Sequence, residues 1–267
     1  MATTRDATRR QADAAVESAD VAVESAPAKD WARWTAELAR HQQKRLAEFG
    51  GAVAAGCIAA IVVLYAFAWL AYEVLQQQTA ALDTKSLQLL QRFGSAQMTR
   101  AAEFISLFGS ELVWVVGLVL LGVLAWQRRW GAVVTLALVA GGAQLLNDIL
   151  KELFHRARPE PLHGFIPAQQ FSFPSGHAMV SVAFYLYLAY LTWRLVHGRW
   201  WRAMLIAGLT LLVVLIGLAR VYLQAHYLSD VLAGYLAGFL WTDAVILGGR
   251  ALGARTRRRV RPRTVDG

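Results

Sequence analysis

Six stretches of the chain are predominantly apolar: roughly Ala52 to Tyr72, Phe104 to Trp126, Gly131 to Ile149, Ala178 to Val196, Ala203 to Ala219 and Asp230 to Gly248. Most run about 17 to 23 residues, the length an α-helix needs to cross the hydrocarbon core of a bilayer. Buried helices of soluble proteins keep a polar face, and Val113 to Trp126 or Ala203 to Ala219 has almost none. The pattern predicts an all-α fold, an integral membrane bundle of six transmembrane helices.

A different rhythm fills the interval between the first and second spans. Leu82, Leu87, Leu90 and Phe93, then Ala102, Ile105 and Phe108, recur near helical spacing with a break at Gly94 and Ser95. Two short interfacial helices lying over the outer face are predicted there. Near the start, Trp31, Trp34, Leu38 and Leu46 sit beside Arg33, Arg40, Lys44 and Arg45, a pattern open to an interfacial helix or to a solvated one. The division that follows is a partly disordered cytoplasmic tail over 1–50, one membrane domain over 51–249 and an Arg-rich cytoplasmic tail over 250–267. The opening fifty residues carry no short apolar run with a cleavage site, so insertion is expected to begin with the first span.

Composition agrees with membrane residence, since 57% of residues are hydrophobic and only 17% charged. The net charge of +9 would suit a nucleic-acid partner if it were spread over a soluble surface. Much of the excess instead lies just past the last span, in Arg250, Arg255, Arg257, Arg258, Arg259, Arg261 and Arg263. Arg128 and Arg129 separate spans two and three, and Arg194, Arg199 and Arg202 separate spans four and five. By the positive-inside rule these sides are cytoplasmic, which argues against nucleic acid and places both termini inside the plasma (inner) membrane. Gln76 to Glu103, Lys151 to His177 and Val221 to Ser229 then face the periplasm or exterior. Cys57, the single cysteine, allows no intramolecular disulfide and reads as a packing residue.

Polar chemistry gathers in those outward segments. Lys151 and Arg158 are seven positions apart, two helical turns, so the spacing predicts a shared helix face. Pro174-Ser175-Gly176-His177 immediately precedes the fourth span, where unpaired N–H groups at a helix N-terminus attract anions. Arg220 closes the fifth span, and His226 and Asp230 follow, four apart, so a carboxylate can orient an imidazole. Three cations, two histidines, a serine and a carboxylate meet the needs of phosphoryl transfer. His155 and His163 raise the thought of a metal shared with His177, His226 and Asp230, but no pair has the close spacing of a helical zinc motif. No metal and no cofactor are expected. Asn147, Asp148 and Asp243 read as structural.

The ordered set Lys151-x6-Arg158-Pro159, Pro174-Ser175-Gly176-His177 and Arg220-x5-His226-x3-Asp230 resembles the three motifs of the type-2 phosphatidic acid phosphatase superfamily. The resemblance runs from near Ala81 to the end of the sixth span and also implies six spans. It implies in-line attack by His226 on phosphorus to give a phosphohistidine, with Asp230 holding the imidazole in its tautomer and His177 serving as general acid. Lys151, Arg158 and Arg220 would bind the phosphoryl oxygens, and Ser175 with the Gly176 amide would complete the cradle. Ala219 stands where a serine is common, implying one lost hydrogen bond. The partners implied are membrane lipids and a lipid phosphate or pyrophosphate substrate: undecaprenyl pyrophosphate, phosphatidylglycerophosphate or phosphatidic acid. Two alternatives stay open, a lipid-linked phosphotransferase using the same histidine and an anion or lipid transporter lined by the three cations. Oligomeric state is not legible.

Overall fold

The computed structural model describes residues 54–159 and 171–260, together with 33, 34, 36, 37, 40 and 51; over 252–260 it describes the backbone alone. The chain divides into two units, Met1–Ala55 and Gly56–Gly267. In the first, Arg33, Trp34, Ala36, Glu37 and Arg40 are helical and exposed. The rest of the N-terminal stretch, His163 and the side chains of the arginines from Arg255 onward lie outside the described residues.

The second unit is helical. Its elements are α1 (Ala54–Leu75), α2 (Ala80–Gln91), α3 (Ala96–Leu107), α4 (Glu111–Trp126), α5 (Trp130–Phe154), α6 (Gly176–Leu195), α7 (Arg199–Tyr222) and α8 (Leu228–Val260). Six helical stretches are long and apolar enough to cross a membrane: α1, α3 with α4 as Ala96–Trp126, α5, α6, α7 and α8 as far as Ala251. Each coincides with one of the six apolar windows. At one end of the bundle α5, α6, α7 and α8 run past those windows into polar residues: Lys151 on α5, Gly176 and His177 on α6, Arg220 on α7 and Ser229 on α8.

Of the two short helices expected between the first two spans only α2 lies wholly there, because α3 runs on into the second span; the two are broken at Phe93 to Ser95, where the Ser95 hydroxyl accepts from the Met98 N–H at 3.1 Å and caps α3. The second window, read as continuous, is interrupted at Phe108 to Ser110. Gly109 sits at the interruption, where the neighbours leave no room for a side chain: a Cβ there would lie 2.7 Å from Ile216 and 3.0 Å from the Ser181 hydroxyl. The Phe108 carbonyl freed by the break accepts the Tyr185 hydroxyl at 2.7 Å, so the buried acceptor is not left open.

The core centres on α6. Val180, Ala183 and Phe184 are almost wholly enclosed by Leu136, Val139 and Ala143 of α5, Val113 of α4 and Ile216 of α7. Lipid tails are as apolar as these side chains, so close packing carries the association. Gly234 and Gly238 of α8 provide it: a Cβ on Gly234 would lie 2.6 Å from the Ser175 carbonyl, and one on Gly238 would strike the Met179 carbonyl. On α1, Leu70, Ala71 and Val74 close over Phe173, whose ring also lies 6.3 Å from Phe67 and 4.7 Å from Phe154. Cys57 is exposed, contrary to the packing role expected from sequence; near that end α1 turns most of its surface outward.

Candidate active site

Lys151 lies in the last turn of α5, which ends when His155 enters the left-handed region with φ 48° and its N–H donates to the Lys151 carbonyl at 3.1 Å. Arg158 is therefore not on the same helix face as Lys151, and the two-turn expectation is overturned. The residue before Pro159 is sterically pushed out of the helical region in any case. The extended strap still returns Arg158 to Lys151's side of the fold, where its Nη1 donates to the Ala225 carbonyl at 3.0 Å. Burial holds the Arg158 guanidinium below its ordinary pKa, with Asp230 opposing in part.

The strap from Phe171 enters α6 through Ser172 to Ser175. The first N–H groups of α6 have no acceptor within the helix, and its dipole adds positive potential at Gly176 and His177. A side chain at position 176 would come 2.9 Å from Asn147 Oδ1 and 3.8 Å from Lys151 Nζ, so only glycine lets α5 approach this closely. Asn147, fully buried, donates to the Pro174 carbonyl at 3.1 Å. Ser175 is also fully buried: its N–H donates to the Asp230 carbonyl at 3.0 Å, and its hydroxyl has no partner among the described residues.

After α7 the chain turns at Gln224, φ 54°, and the Ala225 and His226 N–H groups both donate to the Arg220 carbonyl. His226 is 2% exposed. Its Nδ1 lies 2.9 Å from the Ser172 carbonyl and 3.7 Å from Asp230 Oδ2. A carbonyl only accepts, so Nδ1 carries the proton and the Nε2 lone pair is left free. Asp230, 0% exposed, accepts from the Ser172 hydroxyl and from the Tyr227 N–H at 2.9 Å. Burial lowers the His226 pKa to about 4, with Arg220 and Arg158 adding to the effect and Asp230 working against it.

These ends of α5, α6 and α7, with the α7–α8 turn, enclose a cavity of about 540 Å³. Six of the eight residues singled out from sequence line it: Lys151, Arg158, Gly176, His177, Arg220 and His226. Asp230 and Ser175 lie behind that wall. Arg220 Nη1 donates to the Ser106 hydroxyl at 2.9 Å, and its buried Nε has no partner among the described residues. Ser106 thus gives Arg220 a hydroxyl partner beside the buried Ala219. Glu111, Trp114, Gln144 and Asn147 also line it, with Gly109, Ser110 and Val180; Asn147 reads from sequence as structural, and the others carry no sequence signal.

Behind His226 lies a buried polar cluster that motif reading also missed. Arg156 donates to Asp230 Oδ1 at 2.5 Å, to Asp83 Oδ2 at 2.8 Å and to the Ser229 hydroxyl at 2.7 Å. Asp83, 1% exposed on α2, also accepts from the Ser229 N–H at 2.9 Å and its hydroxyl at 2.7 Å. Burial opposes the charge on Arg156, but Asp230 and Asp83 outweigh it and hold the guanidinium above its ordinary pKa. Asp83, one acid among the residues of a half-apolar helix, was the available signal; nothing local links it to an arginine 73 positions later. Among the described residues no three His, Cys, Asp or Glu side chains group as a metal site would. His155 lies 3.8 Å from Glu152 and meets the Phe171 ring edge-on instead.

Residues 132–251 match the family model of the PAP2 superfamily. The phosphatidylglycerophosphatase B of Bacillus subtilis is 37% identical over 126 residues, 45% of this chain and 58% of that protein. The alignment thus spans less than two thirds of that relative's length. An undecaprenyl-diphosphatase of Sulfolobus acidocaldarius is 27% identical over 167 residues, 61% of this chain and 76% of that protein. The crystal structure of a transmembrane PAP2 type phosphatidylglycerolphosphate phosphatase from Bacillus subtilis aligns with a TM-score of 0.61 and 24% identity, over 76% of this chain and 97% of that one. That likeness is one of fold. With six apolar helices and membrane relatives, the chain is an integral membrane protein.

Proposed function

We infer, for a chain whose residues 132–251 match the model of the PAP2 superfamily, that it is a member of that family, a membrane lipid phosphatase acting through a phosphohistidine. One observation carries the reading: His226 is committed at Nδ1 to a backbone carbonyl, while its ring borders a cavity that also receives Lys151, Arg158, Arg220 and the N-terminus of α6. A neutral imidazole held this way is a nucleophile at physiological pH, and the cations suit a phosphoryl group.

In the first step Nε2 attacks phosphorus in line, the N–P bond forms, and the bond to the leaving oxygen breaks. His177 gives that oxygen a proton, and the arriving phosphate supplies the negative charge that balances its imidazolium. In the second step His177 takes a proton from water, which attacks phosphorus, breaks the N–P bond and releases phosphate. Lys151, Arg158, Arg220 and the Gly176 N–H hold the three equatorial oxygens throughout. Asp230 balances the positive charge that builds on His226.

The names of the relatives, a phosphatidylglycerophosphatase and an undecaprenyl-diphosphatase, support a lipid monophosphate or pyrophosphate as substrate, with phosphatidic acid a third candidate. The far ends of the same helices support an orientation. Arg128 and Arg129 precede α5, Arg194, Arg199 and Arg202 surround the α6–α7 turn, and Arg250 lies late in α8. The positive-inside rule puts that end in the cytoplasm with both termini, and the cavity at the outer face of the plasma membrane. The catalytic domain is taken as residues 51–249, flanked by two tails.

The test is phosphate release in detergent with EDTA from undecaprenyl pyrophosphate, phosphatidylglycerophosphate and phosphatidic acid, comparing wild type with His226→Ala. Release by the wild type that the substitution abolishes is the expected result and ranks the substrates. No release from any of the three, or release that survives the substitution, would sink the reading. Phosphate appearing on a lipid or sugar acceptor instead of in solution would mark a transferase.

A further inference from the structure

We propose that Arg156 and Asp83 are positioning residues for the nucleophile, a buried clamp through which α2 sets the place and charge of Asp230. The inference rests on the phosphatase reading of the cavity. The sequence pattern Lys151-x6-Arg158 passes over Arg156, and no motif includes Asp83.

The geometry is that of a bridge with few degrees of freedom. One guanidinium nitrogen of Arg156 meets Asp230 Oδ1 at 2.5 Å and the other meets Asp83 Oδ2 at 2.8 Å. Both carboxylates are essentially out of solvent, and the Arg156 side chain is only 18% exposed. Its planar cation also lies 4.4 Å over the Tyr227 ring, a further attraction that favours this position. Ser229 ties the two halves together, since its hydroxyl donates to Asp83 and accepts from Arg156.

Two buried carboxylates are costly in a low dielectric unless a cation sits between them. Arg156 supplies that cation without touching the cavity. By holding Oδ1 of Asp230 it leaves Oδ2 facing the His226 ring at 3.7 Å. Asp83 holds Arg156 from the other side and, through the Ser229 N–H, fixes the first turn of α8. The helix between the first two spans is by this account part of the catalytic apparatus. A lysine at 156 cannot reproduce the fork, because one ammonium does not span both carboxylates in the same plane.

The experiment uses the full chain in detergent with Arg156→Lys, Asp83→Asn and Ser229→Ala, the last a small change that keeps both charges. Substrate dependence of phosphate release, orthovanadate inhibition and thermal unfolding are measured for each. For Arg156→Lys and Asp83→Asn, kcat falls about 10- to 100-fold, while KM and the vanadate inhibition constant stay within about threefold of wild type. Ser229→Ala loses about fivefold in kcat. Folded variants with wild-type kcat overturn the proposal, as does a loss matched by a smaller burst of phosphoenzyme with an unchanged rate per active molecule. Should the two charge variants fail to fold, a wild-type kcat in Ser229→Ala overturns it alone. An inactive wild type takes down the phosphatase reading and this inference with it; an active wild type beside unaffected variants takes down the inference only.

Discussion

The carbonyl oxygen of Ser172 lies 2.9 Å from Nδ1 of His226, closer than Asp230 Oδ2 at 3.7 Å. Two jobs expected of one carboxylate are therefore divided. The carbonyl sets the tautomer, and Asp230 supplies charge behind it, itself held by the Ser172 hydroxyl. Asp230→Asn should lower kcat by about 100-fold or more, since an amide cannot balance an imidazolium. Ser172→Ala keeps the carbonyl and should cost about tenfold or less. Steady-state rates with the preferred lipid decide it, and equal losses in the two variants would contradict the division.

Acid should act through His226. Its pKa falls from 6.5 in the ordinary case to about 4 in the fold, chiefly by burial. Between those values the unfolded chain binds the proton and the folded one does not, so this contribution to stability is present above pH 6.5 and is lost as pH drops toward 4. We expect the unfolding temperature in detergent to decline over that window, and to decline less in His226→Ala. The acid limb of kcat/KM should fall near pH 4; a limb near 6.5 that did not arise from the substrate would refute the buried neutral imidazole.

Gly234→Leu should unfold the site before it unfolds the spans. The added side chain meets the Ser175 carbonyl and the Ala178 side chain, and overpacking of this kind costs about 1 to 3 kcal/mol. The Ser175 N–H bond to the Asp230 carbonyl is the first contact forced apart. Activity at 25 °C should drop more than the helical circular dichroism signal does. A fully active variant would mean that the α6–α8 contact tolerates separation.

Glu111 is the one carboxylate among the described residues that line the cavity, and it lies close enough to Arg220 to feel its charge. Facing an anionic substrate it repels. Glu111→Gln should lower KM about threefold for a pyrophosphate, and less for a monoester of lower charge. A raised KM would instead assign Glu111 a direct contact with the headgroup.

Much of this was legible beforehand, because membrane spans announce themselves by composition and the eight site residues sit at span ends where charge is conspicuous. Six of those eight do line one cavity. The helical face shared by Lys151 and Arg158 was not real, since periodicity counts residues and is blind to the left-handed turn at His155. The break at Gly109 was hidden for a related reason: an apolar window scores Phe108 to Ser110 by hydropathy, whereas the close approach of Ile216 and Ser181 to Gly109 comes from across the bundle. Asp83 and Arg156 were missed because a pair so far apart in sequence leaves no local pattern.

At Gly234 and Gly238 two helices meet main chain to main chain, and the consequence concerns how such a protein can diverge. His177 rides on one of these helices and His226 lies just before the other, so the frame between the proposed acid and the proposed nucleophile is written in peptide groups that substitution elsewhere does not alter. Trp114 and Gln144 stand outside that frame, on α4 and α5. A lineage built this way can trade one headgroup for another by changing its walls while inheriting the reaction intact.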